Sequence, residues 1–270
     1  MSKNSHCHVN CSGGTAYSSN DRDFPPQPRV ALVAITKHGA MQARELAIRI
    51  ADSTVVVAGK FQAIMDGLPW HRINAYQGGL REQMAGLFSH YHQIVFFLSL
   101  GAVVRLIAPH LTSKYEDPGI LVVDDAGQFV IPVLSGHVGG ANAYAQQVAE
   151  LLGATAVITT ASDVGKTLSV DILGRDLGWK IEASKTNITR AAAHVVNREP
   201  VALVQEAGNR QWWHHPTPLP ANIHLFDRME DLDPERFDAI LWISHRNIYE
   251  LEMGNSLRRR LLARLVIYRP

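Results

Sequence analysis

The chain has 270 residues, 46% of them hydrophobic and 19% charged, which is the composition of an ordinary globular protein large enough for one big domain or two smaller ones. Its formal net charge is +1, from 26 basic and 25 acidic residues, so no global basic field argues for nucleic acid or anionic membrane as a partner. Apolar runs such as residues 94–100 are too short to span a bilayer and the N-terminus lacks the order of a signal peptide, so a cytoplasmic protein is expected.

Residues 1–29 are rich in Ser, Asn, Gly and Pro without apolar periodicity, and they read as a disordered tail. The only two cysteines, Cys7 and Cys11, fall in this tail, so no disulfide framework is expected. With His6 and His8 they offer four ligands for a soft metal, although such crowding rarely makes a closed structural site.

From Val30 the pattern is that of alternating strands and helices. A continuous apolar run at 30–35 predicts a strand, and Ala43, Leu46, Ala47 and Ile50 then share one helix face. A strand at 54–58, a helix over 82–91 entered through Gly78-Gly79, and a strand at 94–99 follow. Gly101 leads a second short helix that stops near Pro109, with Arg105 as its one charge, placed either to snorkel to solvent or to meet a ligand carboxylate. A polar loop carrying Lys114 and Asp117 precedes a strand at 120–123, and Asp124-Asp125-Ala126-Gly127 predicts a hairpin turn into a strand ending at Leu134.

The next stretch, Leu134-Ser135-Gly136-His137-Val138-Gly139-Gly140-Ala141-Asn142, is the expected centre of the site: a strand breaks into a glycine-rich turn that opens a helix running to a Gly153 cap. Unpaired N–H groups at the helix start would bind an anion, and His137 supplies a proton carrier near neutral pH. A loop leaving the carboxyl end of a strand is also where open α/β sheets place ligands. A strand at 156–160 and the polar loop Thr159-Thr160-Ala161-Ser162-Asp163 come next, and adjacency of the two strands would bring Asp163 to His137 as a second acid–base group. The sequence around Ser135 is not Gly-x-Ser-x-Gly, so a serine-hydrolase triad is not expected.

Beyond residue 170 the reading is a short helix over 170–177, another over 187–196, and short strands at 201–205, 223–226 and 240–244. The expected fold class is therefore α/β, a mostly parallel Rossmann-like sheet with helices on both faces in residues 30–180 and a smaller α/β domain in residues 181–270. Trp212-Trp213-His214-His215 is either an aromatic binding edge or core packing.

The central motif resembles the cobalt-precorrin-5A hydrolases of the CbiG family, together with Gly101-Ala102-Val103-Val104-Arg105-Leu106-Ile107-Ala108-Pro109, Asp117-Pro118, Val122-Val123-Asp124 and Ile158-Thr159-Thr160-Ala161-Ser162-Asp163. The resemblance spans residues 30–270 as that family's N-terminal and middle domains. It implies the anaerobic route to cobalamin: hydrolytic opening of the δ-lactone of cobalt-precorrin-5A, a C–C bond hydrolase reaction on a ketonic substance, releasing acetaldehyde and giving cobalt-precorrin-5B. No cofactor is implied, because the cobalt arrives inside the tetrapyrrole substrate. On that reading His137 or Asp163 is the base, the Gly139 and Gly140 amides receive an oxyanion or carboxylate, and Arg105 and Lys114 clamp substrate carboxylates. Asp117, Ser135, Gly136, Asn142 and Thr160 complete the implied substrate-binding set. Family members often carry a further C-terminal domain, so the alternative is a non-catalytic tetrapyrrole-binding or partner subunit that works with a separate C-terminal-domain protein or neighbouring pathway enzymes.

Overall fold

The computed structural model describes residues 29–213 and 215–270, the side chains of residues 163 and 164 excepted. His6, Cys7, His8 and Cys11 of the tail, His214 and the Asp163 side chain lie outside the described residues.

Seven strands form the larger sheet: β1 (Val30–Ala34), β2 (Ser53–Ala58), β3 (Ile73–Tyr76), β4 (Gln93–Phe97), β5 (Gly119–Val123), β6 (Phe129–Leu134) and β7 (Thr155–Ala156), in the spatial order β3-β2-β1-β4-β5-β6-β7. Every residue of β1, β4 and β5 is buried, which is why these strands read as unbroken apolar runs rather than alternating ones. Four helices cover the faces: α1 (Lys37–Arg49), α2 (Leu80–His90), α3 (Leu100–Ile107) and α4 (Ala141–Leu152). The first and last bury Ala43, Leu46, Ala145 and Val148 in one layer, and the middle two bury Met84, Leu87, Val103 and Ile107 in the other. The sequence misses β3, whose Ile-Asn-Ala-Tyr is only half buried at the sheet edge, and it overextends β7, which is only Thr155 and Ala156 where a strand over 156–160 is expected.

One reversal decides where the site sits. The strands β1 to β5 pair in parallel, but Asp124 Oδ1 accepts from the Gln128 and Phe129 amides and closes a tight hairpin, so β6 runs antiparallel to β5. β7 then pairs in parallel with β6. The loops leaving β6 and β7 therefore lie at the edge holding the amino ends of β4 and β5, and the Gln93 side chain at the start of β4 donates to Gly139 O at 2.5 Å. This corrects the expectation of a site at the carboxyl ends of the parallel strands.

The second sheet has the order β10-β9-β11-β12-β8. Its elements follow α5 (Ala161–Val164) and are β8 (Lys180–Glu182), α6 (Lys185–Val196), β9 (Val201–Gln205), β10 (Ile223–Phe226), β11 (Ala239–Ile243), α7 (Asn255–Leu262) and β12 (Leu265–Arg269). Four strands are parallel and β8 closes the edge antiparallel to β12.

Between the sheets, residues 165–179 form a strap. The helix expected over 170–177 is replaced by turns that end in a single 3-10 turn, Arg175–Leu177, bounded by Gly174 and Gly178 in the left-handed region. Leu168, Val170, Leu173 and Trp179 pin the strap into the core of the second sheet with Tyr268. Gly174 has φ +72°, and a Cβ there would stand 2.0 Å from Trp179 Cε3. Gly174→Ala combines left-handed strain of about 1–2 kcal/mol with overpacking of about 1–3 kcal/mol. Thermal unfolding followed by circular dichroism is expected to show a melting temperature lowered by roughly 5–10 °C.

Candidate functional site

The β6–α4 loop is a closed turn rather than an open anion cradle. The Ala141 amide donates to Ser135 O at 3.2 Å, the Asn142 amide to Gly136 O at 3.0 Å and the Gly140 amide to His137 O at 3.0 Å. The amides of Ala141 and Asn142 at the helix start are thus occupied by carbonyls of their own loop rather than awaiting a ligand. Gly140, one of the two expected oxyanion donors beside Gly139, is engaged in the same way. Gly139 is required by close approach: a Cβ there would lie 2.4 Å from Ser135 Cβ. Ser135 itself is buried with φ +55°, an unusual conformation for a residue with a side chain, and its Oγ has no partner among the described residues.

His137 leaves this turn with its imidazole fixed at both nitrogens. Nδ1 lies 3.3 Å from Asp171 Oδ1 on the strap, and Nε2 lies 3.0 Å from Ser162 Oγ on α5. Asp171 accepts, so the tautomer with hydrogen on Nδ1 fits the pair, and the Ser162 hydroxyl then donates to Nε2. The His137 and Asp171 side chains are only 15% and 13% exposed. Burial alone pushes the Asp171 carboxyl upward, but the hydrogen bond and charge of His137, aided by Lys114, outweigh it and hold the pKa below its ordinary 3.8. Lys114 Nζ stands 3.8 Å from the second oxygen, Oδ2.

The backbone around His137 is held as well. Arg175 Nη1 donates to His137 O at 3.1 Å and to Val138 O at 2.9 Å. On the far side, the Tyr268 hydroxyl of β12 donates to Val170 O at 2.7 Å, which fixes the residue before Asp171. Asn142 Nδ2 donates to Thr160 Oγ1 at 2.8 Å and so ties α4 to the segment that leads into Ser162.

The expected residues divide clearly. His137, Ser135, Gly136, Gly139, Gly140, Asn142 and Thr160 cluster in or against the loop, and Lys114 reaches it through Asp171. Asp117 is near but structural: both its carboxylate oxygens accept from the Thr112 amide, at 3.0 and 3.2 Å, inside the loop before β5. Arg105 is elsewhere. Its helix starts at the carboxyl end of β4, opposite the His137 loop, and the guanidinium folds back onto Gly101 O at 2.9 Å. The sequence reading overlooks Ser162, Asp171 and Arg175. Ser162 stands inside a quoted motif beside Asp163, and Asp171 is a lone acid between Val170 and Ile172, signals that become specific only once the strap is placed.

Beside the cluster a cavity of about 610 Å³ is walled by Ser162, Lys166, Arg175, Trp212, Trp213 and His215. Both indoles also pack on the second core, Trp212 donating to Gln205 Oε1 and Trp213 to Thr217 O, each at 2.8 Å. Core packing of these aromatics is thus compatible with exposure to the cavity, since both side chains touch the second core and line the cavity. Away from the site, His194, Glu199 and Asp238 bring ligand atoms within 4.8 Å of one another. Among the described residues no helix is long and apolar enough to cross a membrane.

Residues 82–163 match the family described as cobalamin synthesis G N-terminal, and residues 168–270 match the cobalamin biosynthesis central region. The chain is 42% identical over 240 residues to the cobalt-precorrin-5A hydrolase of Priestia megaterium, covering 89% of this chain and 62% of that protein. It is 33% identical over 177 residues to the cobalt-precorrin-5A hydrolase of Salmonella typhimurium, covering 64% of this chain and 48% of that one. A solved structure described as a cobalamin biosynthesis protein G homolog from Sulfolobus solfataricus aligns with a TM-score of 0.45 and 21% identity, over 89% of this chain and 60% of the other. The chain thus spans 62% and 48% of the length of these two curated relatives.

Asp171→Asn tests the electrostatics of the cluster. Because the folded carboxyl titrates below its unfolded value, its ionised pairing adds stability that is fully present above the ordinary 3.8 and disappears as pH falls through the lower folded value. Urea unfolding of wild type and variant is therefore expected to show a stability gap that is present at about pH 5 and closes as pH falls below 4. A gap that persists undiminished well below pH 4 would contradict the pairing.

Proposed function

Because the chain belongs to the CbiG family of cobalamin synthesis, carrying its N-terminal and central regions, we propose that it opens the δ-lactone of cobalt-precorrin-5A, releasing acetaldehyde and giving cobalt-precorrin-5B. The observation that carries the reading is the His137 imidazole held between a largely buried carboxylate and the hydroxyl of Ser162, which lines the cavity. Lactone hydrolysis requires a base to take a proton as the carbonyl is attacked and to return it to the departing alkoxide. The nitrogen facing Ser162 can do both, since Asp171 keeps hydrogen on the other nitrogen and stabilises the imidazolium that forms.

The substrate fits the remaining features of the cavity. A flat macrocycle with peripheral carboxylates is matched by indole faces and by the cations Lys166 and Arg175, with Lys114 beyond Asp171. Cobalt enters with the tetrapyrrole, and the protein's own contribution is proton transfer and charge placement. The reading places the protein in the cytoplasm, among neighbouring enzymes of the same pathway.

His137→Ala is the test. The imidazole is in none of the hydrophobic core layers, so the fold should persist, at some cost in stability from the Asp171 carboxylate left without its partner. Single-turnover acetaldehyde release, measured with any separate C-terminal-region protein added, is expected to fall by roughly a hundredfold or more, the scale of a lost general base. A rate near that of wild type would remove His137 from the chemistry.

A further inference from the structure

We propose that Ser162 is a nucleophile that carries the opened lactone as an acyl-enzyme ester on its Oγ, in a Ser162–His137–Asp171 relay. The inference rests on the lactone-opening reading and specifies what attacks the carbonyl. Three hydroxyls lie around the imidazole loop, and their surroundings separate them. Thr160 Oγ1 already accepts from Asn142, 2.8 Å away. Ser135 Oγ is buried with no base against it among the described residues. Only Ser162 pairs with a ring nitrogen whose opposite nitrogen meets a carboxylate, at 3.0 and 3.3 Å respectively. Ser162 is 7% exposed, and the face it does present lines the cavity. A hydroxyl that only stabilised the turn would gain as much from a backbone carbonyl; one on an oriented imidazole gains nucleophilicity.

The order along the chain, His137 then Ser162 then Asp171, and the site's place at the β6–β7 edge are unlike the nucleophile elbow of a strand–Gly-x-Ser-x-Gly–helix. The triad is thus recognisable by geometry alone. That is why the absence of the motif around Ser135 misleads as to whether a serine takes part.

The steps balance without any further reagent. The Ser162 hydroxyl gives its proton to His137 Nε2 as Oγ bonds to the lactone carbonyl carbon. The carbonyl–ring-oxygen bond breaks, the departing oxygen takes the proton from His137, and an ester on Ser162 plus a free alcohol remain. Water then attacks the ester, giving one proton to His137 as its oxygen bonds to the acyl carbon, and Ser162 Oγ leaves and takes that proton back. The net reaction is one water for one lactone. The ester tethers the macrocycle in the cavity while the liberated alcohol loses its O–H proton and its carbon–carbon bond to the macrocycle breaks, the electron pair staying on the ring carbon, which takes a proton as acetaldehyde departs.

The experiment uses the full chain and two independent readouts. Diisopropyl fluorophosphate, which traps activated serines, is applied to wild type, Ser162→Ala and Asp171→Asn, and the modified peptide is located by mass spectrometry. One diisopropylphosphorylated site, Ser162 with loss of fluoride, is expected in wild type, none at this peptide in Ser162→Ala, and labelling slowed at least tenfold in Asp171→Asn. In parallel, acetaldehyde release from cobalt-precorrin-5A is expected to drop at least a hundredfold in Ser162→Ala with an unchanged circular dichroism spectrum. Failure of wild type to label at Ser162 overturns the proposal whatever the turnover. Release within about threefold of wild type by Ser162→Ala overturns it also, and leaves lactone opening by a His137-activated water standing. Labelling of Ser162 without acetaldehyde from wild type supports the nucleophile and contradicts the substrate assignment instead.

Discussion

The hydrogen-bonded pair of Asp171 and His137 is the contact on which the site depends. A carboxylate with little solvent access is costly unless it is paired, and here the imidazole takes one oxygen and Lys114 approaches the other. Each partner is delivered by a different part of the chain: the imidazole by the β6–α4 loop, the carboxylate by the strap, the ammonium by the loop before β5. Tyr268 on β12 fixes the strap one residue before Asp171, and Arg175 on the strap holds the backbone of His137 and Val138. The site is therefore complete only when the strap is docked on both the β6–α4 loop and β12, since neither sheet holds both halves of the pair.

Topology explains the location. In a wholly parallel sheet the loop after β6 would face the carboxyl ends of β1, β4 and β5, among the α1 and α3 starts. The hairpin at Asp124 to Gly127 turns β6 and β7 over, and the glycine-rich loop emerges beside Gln93 and Gly119 instead. There it meets Lys114 and the strap, and Arg105 is left at the other edge, bonded to its own helix.

Much of the architecture is legible from residue patterns because it depends on local rules. Unbroken apolar runs mark β1, β4 and β5, the Asp-Gly turn marks the hairpin, and glycines bracket α4 at 140 and 153, both with positive φ. His137 is legible for the same reason, a titratable residue among glycines. Its partners are not, because they depend on how the strap lies. Ser162 and Asp163 are neighbours in sequence, and reading residues 159–166 as an open loop passes over the hydroxyl for the acid beside it. α5 makes a helical turn there, and Ser162 Oγ lies 3.0 Å from His137 Nε2. Asp171 is hidden by the apolar residues on either side, which read as a helix but pack instead as an irregular strap around Gly174.

The central claim is that Asp171 fixes the imidazole of His137 with hydrogen on Nδ1 and a bare Nε2 facing Ser162. Nitrogen-15 NMR of histidine-labelled protein at neutral pH measures this directly, since protonated and bare ring nitrogens resonate far apart. The account predicts a single Nδ1–H tautomer for His137, with Nδ1–H protected from solvent exchange, and loss of that preference in Asp171→Asn. An Nε2–H tautomer, or an imidazole averaging between both forms in the wild type, would contradict it.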